Sequence, residues 1–284
     1  MTTRRRFVGV TLGALGLLAP AVMLAQGPSM DPKAVVKRLG DGLGLLRSVR
    51  EEDSMMTVEF WGTGSLNDGT RTYKLTKYYG AVAYDFPGMR IDMTKVADGG
   101  APQREIHAVS GGHAWNEIGQ LGGGLDPGYG SAEPAMATVN DRLLSLWTTP
   151  FGVYKTAVAA GANLKVSAEG GKTVLNYALA EGGIMGPAAN VVVGALKGTP
   201  VKVTLNAKNQ PEKVEVRYGG KVIETTYSDY GDLNEKDYQA DIFFPARIAQ
   251  TVDGRPSLTL TVDKTNTYNP YILVPVPANV QAAK

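Results

Sequence analysis

The only two histidines of the chain, His107 and His113, flank the segment Ser110-Gly111-Gly112. A glycine turn there would place two short strands side by side, with Glu105 and Glu117 near the histidines. Two imidazoles and a carboxylate form a ligand set for a transition metal, although this spacing matches no established metal motif. Half-buried strand histidines explain the same pattern. The sequence therefore predicts no metal and no cofactor, and His107 and His113 remain the alternative metal ligands.

Nucleophilic catalysis and calcium binding find little support in the residue patterns. Ser110 stands before two glycines, but the chain has no G-x-S-x-G segment that would expose an activated serine. A group of acidic residues lacks the ordered spacing of an EF-hand loop and is better explained as a solvated loop: Asp229, Asp232, Glu235, Asp237 and Asp241. The sequence predicts no catalytic residues.

The chain begins with Thr3-Arg4-Arg5-Arg6-Phe7, followed by an apolar stretch over residues 8–24. A basic start, a short apolar middle and small residues near Ala21 and Ala25 are typical of a cleavable twin-arginine signal. We expect residues 1–25 to be this signal, with cleavage after Ala21 or Ala25. From that interpretation we expect a periplasmic or secreted protein that binds the twin-arginine export machinery during export.

Composition excludes several classes of function. Without Arg4, Arg5 and Arg6 the 29 basic residues become 26, against 27 acidic ones, so the exported chain is nearly neutral. A chain without a basic tract is not expected to bind nucleic acid. The absence of cysteine excludes disulfides, thiolate metal sites and a cysteine nucleophile.

Hydrophobic periodicity predicts the elements that must position any site. A helix is expected after Ser29 or Asp31, and a run of strands with period two follows between residues 56 and 117. A glycine-rich loop over 119–130 then leads to helices over 131–147 and 151–160, and strands resume from 164 to 262. Strands that succeed one another without helices favour an antiparallel meander. We expect one domain over residues 26–284, mainly β with helices (α+β), with a helical insertion at about 131–160.

This order of elements resembles the lipoprotein-localisation carriers of the LolA and LolB type. The resemblance implies a curved antiparallel sheet that forms an unclosed barrel, covered by an N-terminal helix and the central helical insertion. Its apolar interior would hold acyl chains. A second, local resemblance covers Tyr227-Ser228-Asp229-Tyr230-Gly231-Asp232, Phe244-Pro245-Ala246-Arg247-Ile248 and residues 258–270. This pattern is similar to one in uncharacterised exported bacterial proteins and in segments that precede metallo-β-lactamase-fold hydrolases.

The resemblance leads to the prediction of a non-catalytic carrier or binding protein for an apolar small molecule, a lipid or a lipidated partner. Apolar and aromatic side chains are the expected lining of its mouth or cavity: Trp61, Trp115, Leu143, Trp147, Phe151 and Tyr154. Two alternatives remain open. One is a periplasmic enzyme or metal-binding auxiliary that uses the His107 and His113 region, and the other is a scaffold that binds a cell-envelope protein.

Overall fold

A computed structural model describes residues 30–46, 55–118, 131–182 and 191–283. The predicted signal over residues 1–25 and the glycine-rich loop over 119–130 lie outside these residues. Within them, antiparallel strands and a small number of helices confirm the predicted α+β class.

The elements are named in chain order. The strands are β1 Thr57–Asn67, β2 Thr72–Ala83, β3 Gly88–Ala97, β4 Gln103–Ser110, β5 His113–Ile118, β6 Ser131–Pro134, β7 Lys165–Glu169, β8 Lys172–Ala178, β9 Pro200–Leu205, β10 Pro211–Tyr218, β11 Lys221–Gly231, β12 Phe244–Val252 and β13 Arg255–Asn266. The helices are α1 Pro32–Leu43, α2 Val139–Trp147, α3 Pro150–Ala160 and α4 Ala278–Gln281.

The thirteen strands within the described residues form one sheet, in the order β6-β5-β4-β3-β2-β1-β13-β12-β11-β10-β9-β8-β7. The first strand, β1, lies in the middle of the sheet, and β2 to β6 follow it outward to one edge. The chain then crosses through α2 and α3 to the far edge at β7, and β8 to β13 return strand by strand to β1. Pairing of β1 with β13 joins the two halves, with Phe60 opposite Thr265. Because the edge strands β6 and β7 do not pair with each other, the curved sheet is an unclosed barrel.

Helices α1, α2 and α3 pack on the apolar face of this sheet, called the concave face below. The Asp31 carboxylate accepts hydrogen bonds from the amides of Lys33 and Ala34 and so caps α1, as the sequence predicts. Thr149 caps α3 in the same way. Between α2 and α3 the chain is fixed to the sheet, because the Tyr227 hydroxyl donates to the Thr148 carbonyl oxygen at 2.7 Å.

The prediction of one helix over residues 131–147 is wrong in its first half. Residues Ser131–Pro134 form β6, and α2 begins only at Val139 after a short 3₁₀ turn. In β6 the chain gains hydrogen bonds to the edge of β5, where Pro134 lies opposite Trp115. Proline has no backbone N–H, and it is tolerated in such an edge strand because one side of the strand forms no ladder hydrogen bonds.

The C-terminal residues 267–283 cover the opposite, convex face of strands β1 to β6. Ile272 packs on Ala81 of β2, and Val274 packs beside Trp115 of β5. This segment buries convex-face side chains that would otherwise be exposed. Among the residues whose placement is described, no helix combines the length and apolarity needed to cross a membrane.

Candidate functional site

A cavity of about 260 Å³ lies on the concave face, between the middle strands and the region where α2 meets α3. Its apolar lining comes from β1, β2, β3, β12 and β13: Phe60, Leu66, Tyr78, Met89, Ile91, Met93, Phe244, Ile248, Leu258 and Leu260. Methionine and aromatic side chains of this kind adapt to apolar ligands.

Strand alternation explains why this lining is apolar. In β3 the inward side chains Met89, Ile91 and Met93 alternate with Arg90 and Asp92, which face the convex side. The convex-face charges are paired within the sheet, because Arg90 binds Glu117 and Asp92 binds Arg104. Ion pairing holds these charges on the convex side, so the β3 side chains that line the cavity, Met89, Ile91 and Met93, are all apolar.

Gly80 of β2 gives the aromatic part of the lining its shape. It lies opposite Phe60, and a Cβ atom at position 80 would come within 2.3 Å of the Phe60 ring. The ring therefore lies flat over Gly80, where it also contacts Tyr78 and Phe244 at centroid distances of 5.8 and 5.3 Å. This flat position leaves the space above the ring open.

Polar side chains complete the lining of the cavity. They are His107, Arg142, Ser145, Thr148, Thr225 and Gln250. Arg142 reaches from α2 to the sheet, and its Nη1 donates to the carbonyl oxygens of Ala108 and Trp115 at 2.8 and 2.5 Å. Its Nη2 donates to Asn116 Oδ1 at 2.6 Å. Burial lowers the pKa of Arg142 to about 10, so the guanidinium remains charged at neutral pH.

His107 lies beside this guanidinium on β4. Burial, and then the charge of Arg142, lower the pKa of His107, although Glu105 Oε2 is 3.5 Å from its Nε2. The imidazole is therefore mostly neutral at pH 7. Glu105 itself binds Lys95 at 2.7 Å. The positive charge beside His107 in the cavity thus resides on Arg142.

A second space of about 230 Å³ adjoins the first under α2. Four residues line both spaces, namely Ser145, Thr148, Thr225 and Gln250. Beyond them the second space runs along Val214 and Val216 of β10 and Ile223 of β11. The two spaces on the concave face together extend from β4 to β10.

Four of the six side chains predicted to bind ligand lie in the main core around α2 and α3: Leu143, Trp147, Phe151 and Tyr154. Trp147 is 1% exposed, contacts Tyr84, and donates from Nε1 to the Val192 carbonyl oxygen at 2.8 Å. None of these four side chains is among the described residues that line the two spaces. Their role in binding stays a prediction.

The other two predicted side chains lie on the convex face. Trp61 packs on Tyr79 at a centroid distance of 5.1 Å, with Lys264 Nζ 5.2 Å above its ring. Trp115 is buried with Val274 in a separate cluster. Since successive strand residues point to opposite faces, Trp61 cannot reach the cavity that its neighbour Phe60 lines.

The two histidines do not converge. His107 lies opposite Asn116 and faces the cavity, whereas His113 lies opposite Ser110 on the face that carries Trp115. Within residues 30–46, 55–118, 131–182 and 191–283, no group of three or more His, Cys, Asp or Glu residues could hold a metal ion. The strand pairing is as predicted, but alternation separates the two imidazoles.

The acidic residues after β11 bind groups of their own loop and of the neighbouring strand β13. Asp232 accepts hydrogen bonds from the amides of Asn234 and Ala240, and Glu235 pairs with Lys264. These contacts are typical of a structural loop, in line with the interpretation of the acidic cluster as a solvated segment.

Arg142 is the functional candidate that the sequence analysis did not single out. The sequence does indicate its position, because Val139, Arg142 and Leu146 follow helical spacing along one face of α2. A lone arginine on the side of a helix that packs on a sheet indicates a buried charge.

No protein-family model matches the chain, and no curated protein matches it significantly. Among solved structures, the crystal structure of a LolA superfamily protein from Nitrosomonas europaea is similar, with 10% sequence identity and a TM-score of 0.43 over 85% of this chain and 95% of that one. GphF Dehydratase 1 is similar at 8% identity and a TM-score of 0.12, over 81% of this chain and 82% of that one. Both likenesses are remote, and the fold assignment rests on the sheet topology described above.

Proposed function

We propose that this protein is an exported carrier or binding protein that holds an apolar ligand, a lipid or a lipidated partner, on the concave face of its sheet. The observation that carries the proposal is the cavity between β3 and α2, lined by apolar side chains that the helices leave uncovered. Protein interiors are normally packed to the density of organic crystals. An apolar space of this size at the centre of a sheet is therefore suited to a guest molecule.

The surrounding packing supports a preformed site. Arg142 and Tyr227 fix the helical segment to the sheet at 2.5–2.8 Å, and Phe151 contacts Phe244 at a centroid distance of 5.6 Å. These contacts hold α2 and α3 above the strands without filling the space beneath them. A ligand that enters would replace water against methionine and aromatic side chains, which is favourable by about 25 cal/mol per Å² of apolar surface.

Export is the second part of the proposal, and it rests on the twin-arginine pattern of Arg4 and Arg5. A binding protein outside the cytoplasm would meet acyl chains at membrane surfaces. A cell-envelope protein is the partner class that would deliver or receive such a ligand.

Uptake of a fluorescent fatty acid by purified residues 26–284 tests the binding function, together with lipid extraction and mass spectrometry of the same sample. Ile91→Trp should block the cavity, since Ile91 lies in the middle of its lining. Thr63→Trp is the matched control, because Thr63 is exposed on β1. We expect saturable uptake by the wild type and the control, and little uptake by the Ile91 variant. Failure of the wild type to take up the probe, or equal uptake by all three proteins, would overturn the proposal.

A further inference from the structure

The Arg142 guanidinium has neutral hydrogen-bond partners. Its acceptors are the carbonyl oxygens of Ala108 and Trp115 and the amide oxygen of Asn116. In the part of the chain that the structure describes, no carboxylate lies within ion-pair distance of it. The charge that faces the cavity is therefore uncompensated.

An uncompensated charge in a partly buried position carries a desolvation cost, and the cost falls when a counterion arrives. Arginine carries five N–H donors, of which the contacts above use three. The other two have no partner among the described residues. They could bind a carboxylate or a phosphate through charge-assisted hydrogen bonds, which are stronger than neutral ones.

The groups around Arg142 do not supply the missing negative charge. Ser145 and Thr148 donate to carbonyl oxygens of their own helix. Gln250 donates to Thr225 at 3.2 Å. Two acids are near: Glu105, which Lys95 neutralises at 2.7 Å, and Asp141, which lines the second space and is not within ion-pair distance of Arg142 in the described residues.

Apolar side chains and Arg142 line the same space. Ile91 lies opposite His107, which is beside the Arg142 guanidinium, and Leu260 of β13 lies three strands farther along the sheet. We propose that the ligand is a single-chain amphiphile with an anionic head group, which binds Arg142 while the chain lies along β3 and β13. This inference rests on the proposed function, because it needs the cavity to take up a ligand at all.

Competition against the bound fluorescent probe, near neutral pH, tests the inference with ligands that share one chain. Dodecanoate and dodecyl phosphate carry the anion, and dodecanol keeps the chain with a neutral head. We expect both anions to bind the wild type at least about tenfold more tightly than dodecanol. A preference for one anion over the other identifies the head group as the carboxylate of a fatty acid or the phosphate of a single-chain phosphate ester.

Arg142→Gln should bring the affinities for the two anions close to that for dodecanol, measured as a ratio within the variant, and Arg142→Lys should retain part of the preference. If the variants do not fold, the wild-type comparison still decides the question. Equal affinity for dodecanol and the anions would overturn the anionic head group and leave the carrier function standing. No displacement by any of the three, with no uptake of the probe, would instead reject the carrier function itself.

Discussion

Replacing Gly80 by Ala tests whether the space above Phe60 is a binding cavity. The added Cβ would lie 2.3 Å from Phe60 Cζ, where an ordinary contact needs 3.4–4 Å. The ring must therefore move by about 1 Å. Tyr78 and Phe244 hold it on its other sides, so the open direction is into the cavity.

The expected effect on stability is small, since two opposing terms are similar in size. Alanine in a strand is favoured over glycine by about 0.5–1 kcal/mol. A ring pushed away from its preferred rotamer costs about 0.5–1.5 kcal/mol. We expect the free energy of unfolding to change by no more than about 1 kcal/mol, which is a shift of Tm of about 2–4 °C.

The expected effect on binding is larger. A ring displaced into the cavity removes room for two or three methylene groups of the ligand, each worth about 0.8 kcal/mol when buried. The loss of about 2 kcal/mol corresponds to a roughly 30-fold weaker Kd for the fluorescent fatty acid. Titration of the probe and a thermal melt of the same sample measure both quantities.

Gly112→Ala is the matched control, because a Cβ at position 112 would meet nothing within 4 Å. It should bind the probe with wild-type affinity. If Gly80→Ala also kept that affinity, Phe60 would not move into the ligand space and the reasoning would be wrong. A fall in Tm of more than about 10 °C would also contradict the expected movement, since it would show that the Phe60 ring had been forced into the core.

Three further outcomes are expected. Trp147→Ala removes a buried indole and should lower the free energy of unfolding by about 3–5 kcal/mol; a Tm within about 2 °C of the wild type would contradict this. Burial and Arg142 lower the pKa of His107, so the folded state binds this proton less well than the unfolded state, and stability should fall as pH drops below 6.5. His107→Gln should flatten denaturant-measured stability between about pH 7 and 5, whereas an unchanged slope, or equal flattening in His113→Gln, would reject that assignment. Replacing Arg4 and Arg5 by Lys should leave precursor in the cytoplasm on cell fractionation, and normal export would exclude the twin-arginine route.

The local elements could be predicted from the sequence because local patterns decide them. Asp31 and Pro32 mark the start of α1, and the segments around Gly69, Gly111 and Gly254 mark turns between strands. The alternation in β3 already separated Met89, Ile91 and Met93 from Arg90 and Asp92. Each of these signals acts within a few residues, so no tertiary contact is needed to interpret it.

Residues 131–134 show where this reasoning fails. Their composition was compatible with a helix start, but the free edge of β5 offered backbone partners and made them a strand. The same limit affected Trp61, which the sequence marks as an apolar ligand contact. Whether Trp61 faces the cavity depends on which side of the sheet the helices cover, and the strand pattern alone does not show which side that is.

Sequence by itself determined the α+β class, most strands, the start of α1 and the nearly neutral, cysteine-free composition. Only the tertiary structure decided that β1 pairs with β13 across about 200 residues, and that His107 and His113 face opposite ways. It alone placed Arg142 against a space that Ile91 and Leu260 line. The physical reason is that strand and helix formation follow from short-range periodicity, whereas a cavity is the part of a surface that distant elements leave uncovered when they pack.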